Sequence, residues 1–397
     1  MYLGPAFVAA IAYVDPGNVA ANLTSGARFG YLLVWVLVLA NLMAALVQYQ
    51  SAKLGIVTGK TMPELLGERM RRALRVAYWL QAELVAIATD LAEVVGGAIA
   101  LKLLFGLPLI LGGAIVGVIS MVLLAVQSRF GQRQFESVII GLLAVIAVGF
   151  LSGLVVNPPD AVLVAGGLVP RFDGGESVLL AASMLGATMM PHAIYVHSAL
   201  ARDRHGVANT QTRSRLLRAT KIDVFLALGL AGIVNVGMLL LAAVNLQDAT
   251  GTDSIEGAHL AIQNSLGSVA ALIFAVGLLA SGLASTSVGS YAGATIMSGL
   301  IKKQIPLFLR RMITLAPALL ILSIQIDATW ALVLSQVVLS FGIPFALIPL
   351  LRLTSNRNVM GESANRIPLR ILLWIIVALV ITLNLALLFG PLLFASR

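Results

Sequence analysis

The chain has no cysteine in its 397 residues, which excludes disulfides, zinc–thiolate sites and iron–sulfur clusters. Charge is scarce at 11%, against about 25% in soluble proteins. Only four histidines are present and no HExxH occurs, which speaks against an intramembrane metalloenzyme with a closed His and carboxylate ligand set. No basic region or small-residue cleavage site precedes the first apolar run, so no removable signal peptide is expected. What fills the sequence is apolar: 59% of residues are hydrophobic. A soluble fold of this length could not hide so much apolar surface. Apolar runs longer than about 18 residues recur throughout, each a candidate membrane span.

Eleven such segments alternate with polar breaks, near 3–25, 30–56, 74–105, 108–127, 134–156, 176–203, 217–246, 268–300, 305–326, 329–353 and 367–394. The sequence is basic, with net charge +9 and pI about 10.2, and the placement of that charge points to membrane topology instead of nucleic acid. With the N-terminus in the cytoplasm, 22 of the 26 Lys and Arg residues fall on the cytoplasmic side; the exceptions are Arg28, Lys102, Arg171 and Arg397. Outer loops collect Asp160, Asp173, Glu176, Asp248, Asp253, Glu256 and Asp327. This is the positive-inside pattern, and one span more or fewer would scramble it. The stretch SIEGAHLAIQNSL in the loop 247–265 is expected to form a short amphipathic helix on the outer face.

Two segments are interrupted at mid-depth. The first carries Asp15-Pro16-Gly17-Asn18, and the sixth carries Met190-Pro191-His192 after Gly186-Ala187-Thr188. Each opens a run of five spans, and an odd number forces the second run to enter the membrane upside down. That arrangement predicts inverted repeats, with substrate bound where the broken helices meet. Pro16 suits the first turn of a new helix, with Asp15 as its cap. The half-helices ending near Ala12 and Ala187 offer carbonyls with partial negative charge, which favour a cation. A proline kink alone would need no carboxylate, whereas a charge at mid-membrane is functional by default.

Asp15 offers a hard oxygen, Asn18 a neutral carbonyl and Met190 a thioether. Mixed oxygen and sulfur donors suit Mn²⁺, Fe²⁺, Co²⁺ or Cd²⁺ and discriminate against Ca²⁺ and Mg²⁺. His192 could ligate metal, carry a proton or hold the unwound backbone; His197 lies nearer the cytoplasmic end. Glu83, Asp90 and Glu93 lie roughly on one face of the third segment, and they suggest a proton path, with Arg310 and Arg311 as candidate partners. The bland reading is a static ion pair between helices. Gln336 in the tenth segment is a candidate for closing the site. Bending at Gly17 and near Gly186 would open and close the two gates.

DPGN in the first span, QAELVAIATDLAEVVG in the third, GATMMPHAIYVHSAL in the sixth and SQVVLSFGIPFALIPLL in the tenth resemble the Nramp (natural resistance-associated macrophage protein) family, in its bacterial form. The resemblance runs along essentially the whole chain. It implies an all-α integral membrane protein of the LeuT type with eleven transmembrane helices, the first and sixth discontinuous. One transporter domain, 1–397, would comprise repeats 1–157 and 176–353 and an added helix at 366–394. It implies symport of a divalent transition metal with protons by alternating access, into the cytoplasm across the bacterial inner membrane. Metal ligands would be Asp15, Asn18, Met190 and the carbonyls of Ala12 and Ala187, with Gln336 approaching in some conformations. The proton route would run through Asp15, His192, Glu93 and Asp90 towards Arg310, Arg311 and Glu83, with His197 a further candidate. Met190 argues against the related magnesium carriers. No prosthetic group and no nucleic acid are expected, and a monomer suffices; the C-terminus would lie outside.

Three rivals remain. An organic-substrate symporter, such as an amino acid carrier on the same scaffold, would present half-helix N-termini to a carboxylate, which Asp15 would repel. A metalloenzyme lacks its ligands, and a channel would need rings of like groups about an axis.

Overall fold

Hydrocarbon offers peptide groups no water, so each apolar run must close its own hydrogen bonds as a helix. The computed structural model describes residues 4–130, 132–206, 210–247, 254–302, 307–324 and 327–394, and among them every regular element is helical. The first segment is broken into Pro5–Ile11, a 3₁₀ turn Ala12–Val14 and Pro16–Phe29. Then follow Val34–Thr58, Arg72–Phe105, Leu109–Phe130 and Gln132–Val156 as the second to fifth. The sixth is broken into Gly174–Thr188 and Pro191–His205. Thr210–Asn245, Ser268–Ile301, Leu307–Ser323, Ala328–Ser355 and Ile367–Phe394 complete the eleven. Among the described residues eight of these are long and apolar enough to cross a membrane, with the broken sixth counted once. The broken first, the fourth and the ninth are the shorter ones. Asp248, Asp253, Lys303 and Arg397 of the charge pattern lie outside the described residues, as do the side chains of Arg129 and Arg133.

The elements between spans begin where the sequence supplies caps. Thr61 and Glu64 form a reciprocal capping box on Met62–Arg69, which satisfies two orphan N–H groups at once. Asp160 caps Ala161–Gly166. The expected outer helix is Ile255–Leu266, capped by Ser254. The seventh span starts at Thr210, earlier than its apolar run, because Arg and Leu continue a helix into water and no proline or glycine stops it.

The third and eighth spans share the most extensive interface. Gly282, Gly289 and Gly293 bring the eighth close: side chains there would collide with the Gly97 backbone, crowd Glu93 and overlap Arg310 respectively. Without a hydrophobic drive between helices in lipid, such small residues allow the close packing that holds them. Asp223 of the seventh span receives the Gly4 and Ala6 N–H groups at 3.0 Å each, capping the first helix from a distant part of the chain.

Candidate metal site

Both interruptions follow one rule. Proline has no N–H, so the carbonyl four residues before it loses its helical donor. Pro16 thereby releases the Ala12 carbonyl, and Pro191 releases that of Ala187. Pro16 sits at the first position of its half-helix and Asp15 caps it, accepting from the Asn18 N–H at 2.8 Å. Two further carbonyls of this turn are answered by other spans: Asn235 Nδ2 donates to Tyr13 O at 2.6 Å and Ser281 Oγ to Val14 O at 2.5 Å. In the sixth span Met190 occupies the capping position before Pro191.

One side chain joins the two breaks. Asn18 Nδ2 donates to Asp15 Oδ1 at 2.7 Å and to Ala187 O at 3.1 Å. Its amide hydrogens therefore bridge a carboxylate and a proline-released carbonyl, the position a cation would favour. The tenth span closes over them. A methyl on Gly17 would lie 1.7 Å from Gln336 Nε2, and one on Gly186 would lie 2.0 Å from Gln336 O. Gln336 is thus wedged between the two breaks. Both glycines are helical and neither has positive φ, and both approach the tenth span closely.

Asp15, Asn18, Ala187, Met190 and Gln336 are all fully buried, so the site is sealed from both faces. Asp15 Oδ2, Asn18 Oδ1 and Gln336 Oε1 find no donor among the described residues. Buried acceptors without donors cost a few kcal/mol each, about 1–3 by mutational measure, and a desolvated cation recovers that cost. No cluster of three or more His, Cys, Asp or Glu exists among the described residues. What the structure brings together is of another kind: one carboxylate, the Asn18 and Gln336 amides and the released Ala187 carbonyl, with Met190 buried at the second break.

Beside it runs the third span. Pro16 seats on Gly96, where a methyl would fall 2.0 Å from its Cβ. One turn earlier, Glu93 is buried with Oε2 lacking a donor among the described residues. Arg311 Nη1 approaches Asp90 Oδ1 to 3.0 Å as an ion pair, and its Nε donates to Ser120 Oγ at 3.0 Å. Arg310 Nη2 pairs with Glu83 Oε1 at 2.9 Å. His192 Nδ1 lies 3.3 Å from Thr89 Oγ1, which ties it to this face of the third span. His197 belongs to a separate chain: its Nδ1 meets Gln48 Oε1 at 2.7 Å, and Gln48 Nε2 donates to the Tyr13 hydroxyl.

The sequence reading passed over Tyr13, Gln48, Asn235, Ser281 and Thr89. Gln48 and Asn235 were visible as lone amides in apolar runs, a signal that each needs a partner. The same reading singled out Gln336 in the tenth span as a candidate for closing the site, but passed over Pro344 and Pro349 within the same helix. Pro344 releases Ser340 O, which Asn384 Nδ2 of the eleventh span answers at 2.9 Å.

Comparison with known proteins adds the following. The model for natural resistance-associated macrophage protein-like proteins (Nramp) matches residues 6–390. The divalent metal cation transporter MntH of Mycobacterium tuberculosis strain H37Rv is 60% identical over 390 residues, covering 98% of this chain and 91% of that protein. MntH of Bacillus subtilis strain 168 is 45% identical over 385 residues, with 96% and 90% covered. Among solved structures, the Eremococcus coleocola manganese transporter in complex with an aromatic bis-isothiourea substituted compound superposes with TM-score 0.88 at 31% identity, covering 97% and 86%. Mhp1, a nucleobase-cation-symport-1 family transporter in a closed conformation, reaches TM-score 0.58 at 16% identity over 99% and 91%, a likeness of fold alone.

Proposed function

The chain belongs to the Nramp family of divalent metal cation transporters, and from that premise we propose that it imports Mn²⁺ or Fe²⁺, with Co²⁺ and Cd²⁺ as further cargo, together with protons. It is a transporter and not an enzyme. The observation that carries the reading is the Asn18 bridge between Asp15 and the Ala187 carbonyl across both broken helices. A metal entering there exchanges the amide hydrogens for its own charge. Asn18 then turns its oxygen inward to join Asp15, Met190 and the carbonyls of Ala12 and Ala187. Gln336 completes the shell from the tenth span. Binding a cation in place of a proton on Asp15 or its surroundings links the two fluxes.

Protons take a partly separate route along the third span. Glu93 lies one turn from the Gly96 on which Pro16 seats, with its Oε2 lacking a donor among the described residues, and His192 is tethered to the same span through Thr89. Arg311 and Arg310 hold Asp90 and Glu83 at successive depths. The residues 1–157 and 176–353 act as upside-down equivalents, each opening on a broken helix, with 366–394 added. The carrier sits in the bacterial inner membrane, N-terminus inside and C-terminus outside, working as a monomer and without a prosthetic group.

Mn²⁺ uptake into proteoliposomes under an inward proton gradient tests this. Asp15→Ala should reduce uptake by more than about 10–100-fold, the scale of losing a mere outer-shell partner of a metal ligand. Met190→Ala should keep measurable Mn²⁺ uptake but lose discrimination against Ca²⁺, read by competition. Unchanged transport and unchanged metal preference in both variants would refute the site.

A further inference from the structure

Pro349 of the tenth span removes the helical donor from the Phe345 carbonyl. Two phenols from other spans answer it. The Tyr78 hydroxyl of the third span donates to Phe345 O, and the Tyr195 hydroxyl of the second half of the sixth span donates to the same oxygen at 3.3 Å. One turn earlier, Gly342 is a second meeting point of the same three spans. A methyl there would fall 2.6 Å from Val85 Cγ2 of the third span and 3.1 Å from Pro191 Cγ of the sixth. The half-helix that Met190 caps is therefore fixed to the tenth span at two places, Pro191 on Gly342 and Tyr195 on Phe345. The span that carries the carboxylates is fixed at the same two places.

From this geometry we infer that Tyr195 and Tyr78 are positioning residues for transport: by sharing the proline-released carbonyl of Phe345, they make the metal-bearing half-helix and the carboxylate-bearing third span move against the tenth span as one joint. Two points along the half-helix fix its direction relative to the tenth span, which one point alone does not. Neither tyrosine touches metal. Each loses its donor without losing its ring when changed to phenylalanine, so packing is preserved. The inference rests on the metal-site reading above, and the test separates the two.

The absence of native cysteine makes a single introduced thiol specific. Ala52 is fully buried in a small cluster with Ile56, Ala201 and Leu216, where the second span packs on Pro191–His205. In an Ala52→Cys background, N-ethylmaleimide reports separation of these helices. Tyr195→Phe and Tyr78→Phe should each speed labelling several-fold and change the number of protons moved per Mn²⁺, read with a pH dye beside Mn²⁺ uptake. Both should still bind Mn²⁺. Pro349→Ala, which restores an intrahelical N–H to Phe345 O, should produce the same changes, and adding Tyr195→Phe to it should add little, because neighbours sharing one interaction are not additive. Unchanged labelling and unchanged proton-to-metal ratio in the Tyr78→Phe/Tyr195→Phe double variant would overturn the inference, as would full additivity with Pro349→Ala. If Asp15→Ala in this background bound Mn²⁺ normally, the metal-site reading would fail instead.

Discussion

Arg310 and Arg311 are adjacent in sequence and differ in their surroundings. Arg311 is 0% exposed at its side chain and Asp90 5%, whereas Glu83, the partner of Arg310, is 16% exposed. Removing one member of a buried pair strands the other charge, at a cost of about 3–5 kcal/mol. Arg311→Ala should therefore lower the thermal midpoint of the purified protein clearly more than Arg310→Ala, as followed by fluorescence-detected melting. An equal effect would mean that Asp90 finds another partner or picks up a proton at little cost. At this scale the sequence was informative where chemistry is costly. Asp15 and the third-span carboxylates stand out because a charge in hydrocarbon must have a reason. Their pairing did not stand out, since nothing in the spacing of Glu83 and Asp90 says which arginine serves which.

The breaks are legible for the same reason: a proline inside an apolar run announces a released carbonyl, and its i−4 neighbour can be named without a structure. The residue that answers that carbonyl cannot. Asn235, Ser281 and Asn384 lie far along the chain from Tyr13, Val14 and Ser340, and an apolar run of helix carries almost no information about its rotation or depth relative to a neighbour. Gly17 and Gly186 illustrate the limit. Both invite a hinge reading, and both face Gln336 at distances no methyl tolerates. The obstacle differs between them. At Gly17 it is the end of the Gln336 side chain, which can turn aside, whereas at Gly186 it is the Gln336 backbone. Gly186→Ala should thus lower stability by about 1–3 kcal/mol, the usual cost of overpacking, and should nearly abolish uptake. Gly17→Ala should melt close to the parent while Mn²⁺ affinity falls. Melting and uptake curves on both variants would show whether the order is reversed.

For the whole molecule, the distribution of Lys and Arg makes its orientation in the membrane a proposal that labelling can test. Val169 and Glu362 are exposed in the loops between the fifth and sixth and between the tenth and eleventh spans. A cysteine at Val169 should react with a membrane-impermeant maleimide in intact cells, and one at Glu362 only in inside-out vesicles; the opposite result would invert the carrier. The Asn18 amide carries a consequence for the unladen half of the cycle. After release, Asp15 and the Ala187 carbonyl would face each other with nothing to soften their repulsion, were the amide not there to lie between them. In the proposed cycle a resident dipole would let the vacated carrier reset to the outside, so that cargo travels one way while the protein travels both. Asn18→Ala should then stall net Mn²⁺ accumulation more severely than tracer exchange of Mn²⁺ for Mn²⁺, which never asks the protein to come back empty.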